Sequence, residues 1–178
     1  VMLARRGCSV VVNYTRSRQE AEATAAECRA SGAEALVVRG DVAEDSNCRA
    51  IVAAAIDTWG RLDYLVNNAG KTKFVPFEDL DGLTRDIFLD IYSVNVVGTY
   101  QVIRAAAPHL KRTRGAIVNT SSIGGVTGIA SSMAYAASKG ALNVLTRSLA
   151  LALAPEVRVN AVCPGAIQTR WLKAGMGD

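Results

Sequence analysis

The sequence predicts a doubly wound α/β fold, in which helices cover both faces of a parallel β-sheet. Short apolar runs alternate with longer helical patterns along the 178 residues. The runs are rich in Val and mostly continuous rather than alternating, as in strands that are buried on both faces. Half of the residues are apolar and 20% are charged, which suffices for one well-buried core. We therefore expect a single domain over residues 1–178, with right-handed crossovers between its strands.

The first predicted unit joins a strand at Ser9–Asn13 to a helix over Arg18–Ala30. The strand is the apolar run SVVVN. Ser17 stands where an N-cap is expected, and Gly32 lies just beyond the end of the helical pattern, as a C-cap does.

Two further units follow. The run ALVV at Ala35–Val38 precedes a helix over Asp45–Thr58, which carries one apolar stripe. The run LDYLV at Leu62–Val66 precedes a long helical pattern over Leu83–Leu110, and Pro108 is expected to mark its exit.

The last predicted elements are a strand at Ala116–Asn119, a helix over Tyr135–Ala154 and a strand at Val157–Val162. The helix is rich in Ala and Leu and is expected to stop at Pro155. No run of about 18 uncharged apolar residues occurs, so the sequence predicts no membrane span.

Polar, glycine and hydroxyl residues follow each predicted strand. The segments read NYTRS from Asn13, GDV from Gly40, NNAG from Asn67, TSS from Thr120 and CPGAIQT from Cys163. In doubly wound folds, ligands bind outside the carboxyl ends of the strands. One such segment would be an ordinary turn, but five at a shared edge favour a binding site.

Charge and cysteine content exclude some classes of function. The net charge of +4 is spread along the chain, so nothing indicates nucleic-acid binding, although a field of this sign favours an anionic ligand. The four cysteines form no C-x-x-C pair, which argues against a zinc or redox-dithiol site, and no other metal site is expected. Free thiols are typical of a reducing cytosol, so we expect a cytoplasmic protein.

Tyr135 and Lys139 are the candidate chemical pair. Residues four apart in a helix rise by ~6 Å and return to nearly the same face. An ammonium close to a phenol favours the phenolate, so Lys139 is expected to lower the pKa of Tyr135 and make it a usable acid or base. By itself, Tyr-x-x-x-Lys is common in helices and carries little weight.

The wider pattern resembles the short-chain dehydrogenase/reductase family in its one-domain form. Asn67-Asn68-Ala69-Gly70, the hydroxyl exit at Ser122, the run from Tyr135 to Lys139 and the run from Asn160 to Gly165 occur in the family's order and spacing. The match extends from Ser9 to Thr169. It implies a Rossmann-like, three-layer α/β/α fold and a nicotinamide-dependent oxidoreductase that acts on a small carbonyl or alcohol.

The resemblance implies four catalytic residues. Tyr135 would exchange a proton with the substrate oxygen, and Lys139 would hold the nicotinamide ribose and lower the tyrosine pKa. Ser122 would bind the carbonyl oxygen; the neighbouring Ser121 is the alternative, with turn hydrogen bonding as its other role. Asn95 would hold a water in a proton relay to Lys139.

The same resemblance implies the cofactor contacts. Asp41 and Val42 would meet the adenine, while Asn67 would tie neighbouring strands together. The other expected contacts are, besides Tyr135 and Lys139, the residues Asn68, Ala69, Gly70, Pro164, Gly165, Ile167 and Thr169.

The choice of cofactor depends on the exit of the strand at Ser9–Asn13. NAD enzymes usually place an acidic residue there to bind the ribose hydroxyls. Here the exit has no carboxylate, and Arg16 and Ser17 could instead bind a 2′-phosphate, although Arg16 could also be an ordinary solvated arginine. The sequence therefore favours NADP(H) over NAD(H), and reduction as the working direction.

The chain departs from the family at both ends. The family's first strand and its glycine-rich Thr-Gly-x-x-x-Gly-x-Gly turn are absent, and the match ends soon after Thr169. We expect an opening in the sheet beside the strand at Ser9–Asn13, and a longer parent protein; a genuine truncation is the alternative.

Substrate and assembly follow from the resemblance only in outline. The nearest subgroups are the 3-oxoacyl-carrier-protein reductases and similar sugar or cyclic-alcohol dehydrogenases, and Lys71 stands where many relatives have an apolar residue. As in its relatives, the substrate site is expected to be shaped by the segment after Gly70, the loop Gly124–Met133 and the residues beyond Thr169. The helices Val94–Leu110 and Ala134–Ala154 are expected to form a homodimer or homotetramer. The alternative from another class is a non-catalytic dinucleotide-binding or scaffold protein.

Overall fold

A computed structural model describes residues 1–167 of the chain. The strands are β1 (Val10–Tyr14), β2 (Ala35–Arg39), β3 (Tyr64–Asn67), β4 (Ala116–Thr120) and β5 (Arg158–Val162). The helices are α1 (Arg18–Ala30), α2 (Asp45–Trp59), α3 (Arg85–Tyr92), α4 (Thr99–Thr113), α5 (Gly124–Thr127) and α6 (Met133–Leu153). A 3₁₀ turn spans Ala4–Arg6, and a π-helical segment spans Ser93–Gly98, between α3 and α4.

Every strand pair in the described part of the chain is parallel. β1 pairs with β2, and β3, β4 and β5 form a second sheet in that order. The register of the second sheet aligns Ile117 with both Leu65 and Val159. Alternation of strand and helix with parallel pairing confirms the predicted α/β class.

A cleft of about 780 Å³ separates the two sheets, and we call it the inter-sheet cleft. Its walls include Val10 and Val11 of β1 and residues 64–67 of β3, and its floor includes Val52 of α2 and Val102 of α4. The opening lies where the sequence led us to expect one. Because all strands are parallel within each sheet, the carboxyl ends of β3, β4 and β5 share one edge.

The main core lies between the second sheet and its helices. Ile103, Ala106 and Leu110 of α4, Ile117 of β4 and Val159 of β5 belong to one buried cluster, to which α2 and α6 also contribute. A smaller cluster packs α1 against the first sheet through Ala25 and Cys28. The edge that carries the polar exits is thus supported by the larger of the two cores.

The long helix expected over Leu83–Leu110 is in fact three consecutive segments. α3 passes into the π-helical turn and then into α4, which continues through Pro108 to Thr113. The prediction that Pro108 marks the exit is therefore wrong. Proline removes one backbone donor without ending the helix here, and the stop falls at Arg114, whose φ is 53°.

Ser17 stands at the N-cap position, as predicted, and α1 begins and ends where the sequence placed it, but the Ser17 side chain does not cap the helix. The Ser17 side chain makes no cap hydrogen bond, and its ψ of 62° is not the extended conformation from which an N-cap reaches the first amides. Among the described residues, no helix has the length and apolar character needed to cross a membrane.

Candidate active site

The first turn of α6 is fixed by a buried serine. Ser132 is the N-cap, and its hydroxyl accepts a hydrogen bond from the Tyr135 backbone N–H at 3.3 Å. Ser132 has no exposed surface. The cap sets where α6 begins, and therefore where Tyr135 and Lys139 lie relative to the exits of β4 and β5.

Ser122, Tyr135 and Lys139 meet at this edge. The Tyr135 and Ser122 side chains are hydrogen-bonded to each other. The Lys139 Nζ lies 5.5 Å from the centre of the Tyr135 ring. It also donates to the backbone carbonyl of Thr120, the last residue of β4, at 2.7 Å. The structure thus brings together three of the four residues expected to be catalytic.

The structure contradicts the prediction that the pKa of Tyr135 is lowered. Burial raises the pKa of Tyr135 above its ordinary value, and only the hydrogen bond with Ser122 opposes this by lowering the pKa. The Lys139 ammonium is directed to the Thr120 carbonyl and lies over the ring. Desolvation of the phenolate therefore outweighs the Ser122 hydrogen bond, and Tyr135 holds its proton at neutral pH.

Lys139 itself is a buried cation. Its exposed fraction is 3%, and burial lowers its pKa to about 8, with a smaller opposite effect from Cys163. The group is mostly charged at neutral pH and loses its charge in mildly alkaline solution.

Asn95 lies in the π-helical segment with no exposed surface. Its Oδ1 accepts from the Lys71 backbone N–H at 2.8 Å, and its Nδ2 donates to the Lys71 carbonyl at 3.0 Å and to the Ser138 hydroxyl at 2.9 Å. Ser138 donates in turn to the Tyr135 carbonyl at 2.7 Å. Asn95 therefore ties the segment after β3 to the first turn of α6; its expected water-holding role stays a prediction.

The two adjacent serines face different partners. Ser121 is buried and donates to the Lys139 carbonyl at 3.1 Å, whereas Ser122 contacts Tyr135 and accepts from the Gly124 N–H at 3.1 Å. Of the two serines, Ser122 is the one beside the phenol, and its catalytic role stays a prediction.

Sequence reasoning missed a chain of hydrogen-bonded side chains that joins Asn67, Asn119 and Thr146. Asn67 Nδ2 donates to Asn119 Oδ1 at 2.9 Å, and Asn119 Nδ2 donates to the Thr146 hydroxyl at 2.9 Å. The expected strand-tying role of Asn67 is what this bond performs. An asparagine inside an otherwise apolar strand was the signal that could have identified Asn119, since buried polar groups need partners.

Two glycines permit close backbone approach at the site. A Cβ on Gly125 of α5 would lie 2.6 Å from the Lys139 carbonyl carbon, so only glycine lets α5 pack on α6 there. A Cβ on Gly98 would lie 2.8 Å from the Val42 carbonyl oxygen. Both contacts are tertiary and position the elements that carry Lys139 and Asn95.

A second cleft, of about 840 Å³, contains the reacting groups, and we call it the tyrosine cleft. Its lining includes Ser122, Tyr135 and Lys139 and five of the expected cofactor residues: Asn68, Gly70, Pro164, Gly165 and Ile167. Asn68 also lines the inter-sheet cleft, together with Ala69 and Val42.

The remaining expected cofactor residues lie apart from these walls. Arg16 and Ser17 are exposed at the exit of β1. The Asp41 carboxylate accepts from the Ala43 N–H at 3.0 Å. Thr169 lies outside the described residues.

The tyrosine cleft fits the nicotinamide half of a dinucleotide. A Cβ on Gly165 would meet nothing within 4 Å, so that wall is open towards a ligand. Ser122, Tyr135 and Lys139 place two hydroxyls and an ammonium along one side, which suits ribose hydroxyls and a carbonyl oxygen. A protonated phenol hydrogen-bonded to a serine can deliver a proton to an oxygen bound beside both.

Comparison with known proteins identifies similar chains. The model of the short chain dehydrogenase family matches residues 1–175. A Streptomyces violaceoruber protein named as ketoacyl reductase 2 of the granaticin polyketide synthase is 46% identical over 170 residues, covering 95% of this chain and 67% of that protein.

Solved structures agree in fold. A short-chain dehydrogenase/reductase structure from Burkholderia xenovorans has a TM-score of 0.93 and 40% identity, covering 96% of this chain and 72% of that one. An NAD⁺-bound xylitol dehydrogenase has a TM-score of 0.86 and 33% identity, covering 96% and 65%. The chain spans about two thirds of the length of these relatives.

Proposed function

Since this chain belongs to the short-chain dehydrogenase/reductase family, we propose that it is an NADP(H)-dependent carbonyl reductase with Tyr135 as its proton donor. The observation that carries the proposal is the hydrogen-bonded pair of Tyr135 and Ser122, beside the buried Lys139. The similarity to a protein named as a ketoacyl reductase supports a ketone as substrate.

The protonation state of Tyr135 supports reduction as the working direction. Burial raises its pKa, so the phenol carries a proton at neutral pH and can donate it to a carbonyl oxygen. Ser122 would donate a second hydrogen bond to that oxygen and orient the carbonyl. When bound, a reduced nicotinamide supplies the hydride.

Lys139 stabilises what Tyr135 becomes. After proton transfer the tyrosine is a phenolate, and a cation 5.5 Å from the ring centre favours that charge. The bond from Nζ to the Thr120 carbonyl holds the cation in place. Asn95 and Ser138 fix the backbone of the turn that carries Tyr135, so the proposed proton donor is positioned before substrate binds.

NADP(H) is proposed on the chemistry of the β1 exit. Asn13 and Thr15 donate to the Gly40 carbonyl at 3.1 and 3.2 Å, so these two side chains link strand exits. Arg16 and Ser17 remain exposed beside the start of α1, where a guanidinium can pair with a phosphate. No carboxylate occupies residues 13–17.

Assembly and location are proposed from surface and thiol chemistry. The α3–α4 region and α6 expose large apolar side chains, among them Val97, Tyr100, Val144 and Leu151, the last 83% exposed. Such surface supports a homodimer or homotetramer. Sedimentation equilibrium should give the mass of two or four chains, and a monomer would contradict this.

The four free cysteines support a cytoplasmic location.

The test is a panel of ketones assayed with NADPH and with NADH by the loss of absorbance of the reduced nicotinamide. We expect at least one ketone to be reduced faster with NADPH, with no loss when the ketone is omitted. Absence of reduction across the panel with either cofactor would refute the function. A preference for NADH would refute the role given to Arg16.

A further inference from the structure

We propose that the substrate is an apolar, ring-bearing ketone rather than a sugar or polyol, and that Phe77 and Ile129 bind its apolar part. This inference rests on the proposed function, because it assigns a substrate class to the same site. The observation behind it is a juxtaposition within the tyrosine cleft. The hydroxyls of Ser122 and Tyr135 lie in a cleft whose loop side is lined mostly by apolar residues, with Asn68 and Ser131 as polar members of its lining.

Two loops build the apolar wall. The segment after β3 contributes Phe74, Val75, Pro76 and Phe77, and the loop before α6 contributes Ile129 and Ala130. The two loops are joined because the Val75 N–H donates to the Ser131 carbonyl at 3.0 Å. Val75 is buried, whereas its neighbour Phe77 is 38% exposed. This bond joins the two loops, so aromatic and aliphatic side chains from both line the same cleft.

The Ser131 hydroxyl, which lines the cleft, is engaged with Thr72, which does not line it. The Thr72 and Ser131 hydroxyls lie 2.6 Å apart, and Thr72 Oγ1 also donates to the Lys73 carbonyl at 3.4 Å. If Ser131 donates to Thr72, both hydroxyl protons are used within the loops. In that arrangement neither of these two hydroxyls has a proton left for a substrate.

Charged groups are equally sparse. Lys139 is the one charged residue among the described lining residues, and its ammonium is directed to the Thr120 carbonyl. A sugar carries several hydroxyls, and each one buried without a partner costs free energy. Ser122 and Tyr135 suffice for a single oxygen. The cleft therefore matches a molecule with one carbonyl and an otherwise apolar body.

Exposed apolar side chains line the cleft, and an apolar substrate would cover them. Ile123 is 44% exposed and Ile129 is 76% exposed, and both line the cleft. Covering this surface with an apolar ring removes it from water, which favours binding.

The test compares two ketones that differ by one fused aromatic ring, cyclohexanone and 2-tetralone, and adds L-rhamnose with NADP⁺ as a polar substrate. With the full-length protein, we expect kcat/KM for 2-tetralone to exceed that for cyclohexanone at least tenfold, and L-rhamnose to be oxidised more slowly than 2-tetralone is reduced. Equal values for the two ketones, or a preference for L-rhamnose, would overturn the inference.

A variant ties the preference to the wall. Phe77→Ala should reduce the ratio of the two kcat/KM values at least fivefold, mainly through a higher KM for 2-tetralone. The matched control is Leu80→Ala, three residues further along the same segment and 69% exposed, which should leave the ratio as in the wild type. An unchanged ratio in Phe77→Ala would also overturn the inference.

Failure of the carbonyl-reductase function is distinguishable from failure of the proposal that the substrate is an apolar ketone. If no carbonyl is reduced, the carbonyl-reductase proposal fails, and binding of 2-tetralone is then measured directly by saturation-transfer NMR. Binding to the wild type that is weakened in Phe77→Ala supports the apolar wall independently of turnover. Absence of binding, or equal binding by both proteins, refutes it.

Discussion

The exits of β4 and β1 differ in how firmly contacts within the chain hold their side chains in place. At the β4 exit, Ser122, Tyr135 and Lys139 are linked to one another or to backbone carbonyls, and Lys139 is buried. At the β1 exit, Arg16 and Ser17 are exposed to solvent. The reacting end is therefore positioned before any ligand arrives, whereas the end assigned to phosphate recognition offers charge without fixed geometry. Variants at the two exits test this contrast.

The largest effect is expected at the β4 exit. Tyr135→Phe removes the proton donor and leaves the ring in place, so kcat/KM for ketone reduction should fall by about 10²–10⁴-fold. Steady-state kinetics at saturating NADPH measures the loss. The control is Tyr100→Phe on α4, which is 43% exposed and should keep wild-type activity. A Tyr135→Phe protein that retains wild-type kcat/KM would refute the assignment.

The second effect concerns stability. Asn119→Ala removes the side chain that is hydrogen-bonded to both Asn67 and Thr146. Because polar atoms are then left unpaired in the interior, the free energy of unfolding should fall by about 1–3 kcal/mol. The matched control is the half-buried Asn13, which donates to the carbonyls of Val38 and Gly40.

Urea unfolding of both variants decides between them. Asn13→Ala deletes the same atoms near the exposed exit, so its loss should be smaller. Equal losses, or a larger loss in Asn13→Ala, would contradict the contrast between a rigid β4 exit and a solvated β1 exit.

The third effect lies at the β1 exit. Arg16→Ala should raise KM for NADPH about tenfold, because an exposed arginine–phosphate pair contributes less than a buried one. KM for NADH should change less than KM for NADPH. The control is Arg18→Ala, whose side chain is 75% exposed and pairs with Glu22 at 3.8 Å. Equal changes for both cofactors in Arg16→Ala would show that Arg16 does not read the 2′-phosphate.

The last effect is a pH dependence of stability. Burial lowers the pKa of Lys139 to about 8 from an ordinary value of 10.5. Between these values the unfolded chain keeps a proton that the folded protein has lost. Unfolding free energy should therefore rise with pH in this window, by up to about 1.4 kcal/mol per pH unit. Below pH 8 both states are protonated, and this contribution to the slope vanishes.

Comparing variants isolates this contribution. Lys139→Met should lose the rise between pH 8 and 10.5, whereas Lys73→Met, at an exposed lysine, should keep the wild-type profile. A Lys139→Met profile parallel to that of the wild type would contradict the burial argument.

The sequence predicted periodic features well, because they arise from local patterns. The bounds of α1 are those expected from its apolar spacing, and the strand at Ala116–Asn119 is longer by one residue. Motif spacing also brought Ser122, Tyr135 and Lys139 together. These residues sit at the ends of regular elements, where strand and helix geometry fixes their positions.

Tertiary contacts explain what the sequence could not predict. The π-helical turn holds Asn95 against the Lys71 backbone and brings Gly98 close to Val42, and neither contact is visible in a helical pattern. The raised pKa of Tyr135 depends on burial that spacing alone does not show. The apolar wall at Phe77 and Ile129 needs two distant loops to be joined.

The proposed reaction at the β4 exit is the transfer of a proton from Tyr135 to a ketone while the cofactor supplies the hydride. Its most direct test is incubation of the full-length protein with NADPH deuterated at C4 and a reducible ketone, followed by mass spectrometry of the alcohol. We predict one deuterium on the carbinol carbon with the wild type, and about 10²–10⁴-fold less labelled product with Tyr135→Phe in the same time. Unlabelled alcohol, or equal labelled product from both proteins, would contradict the claim.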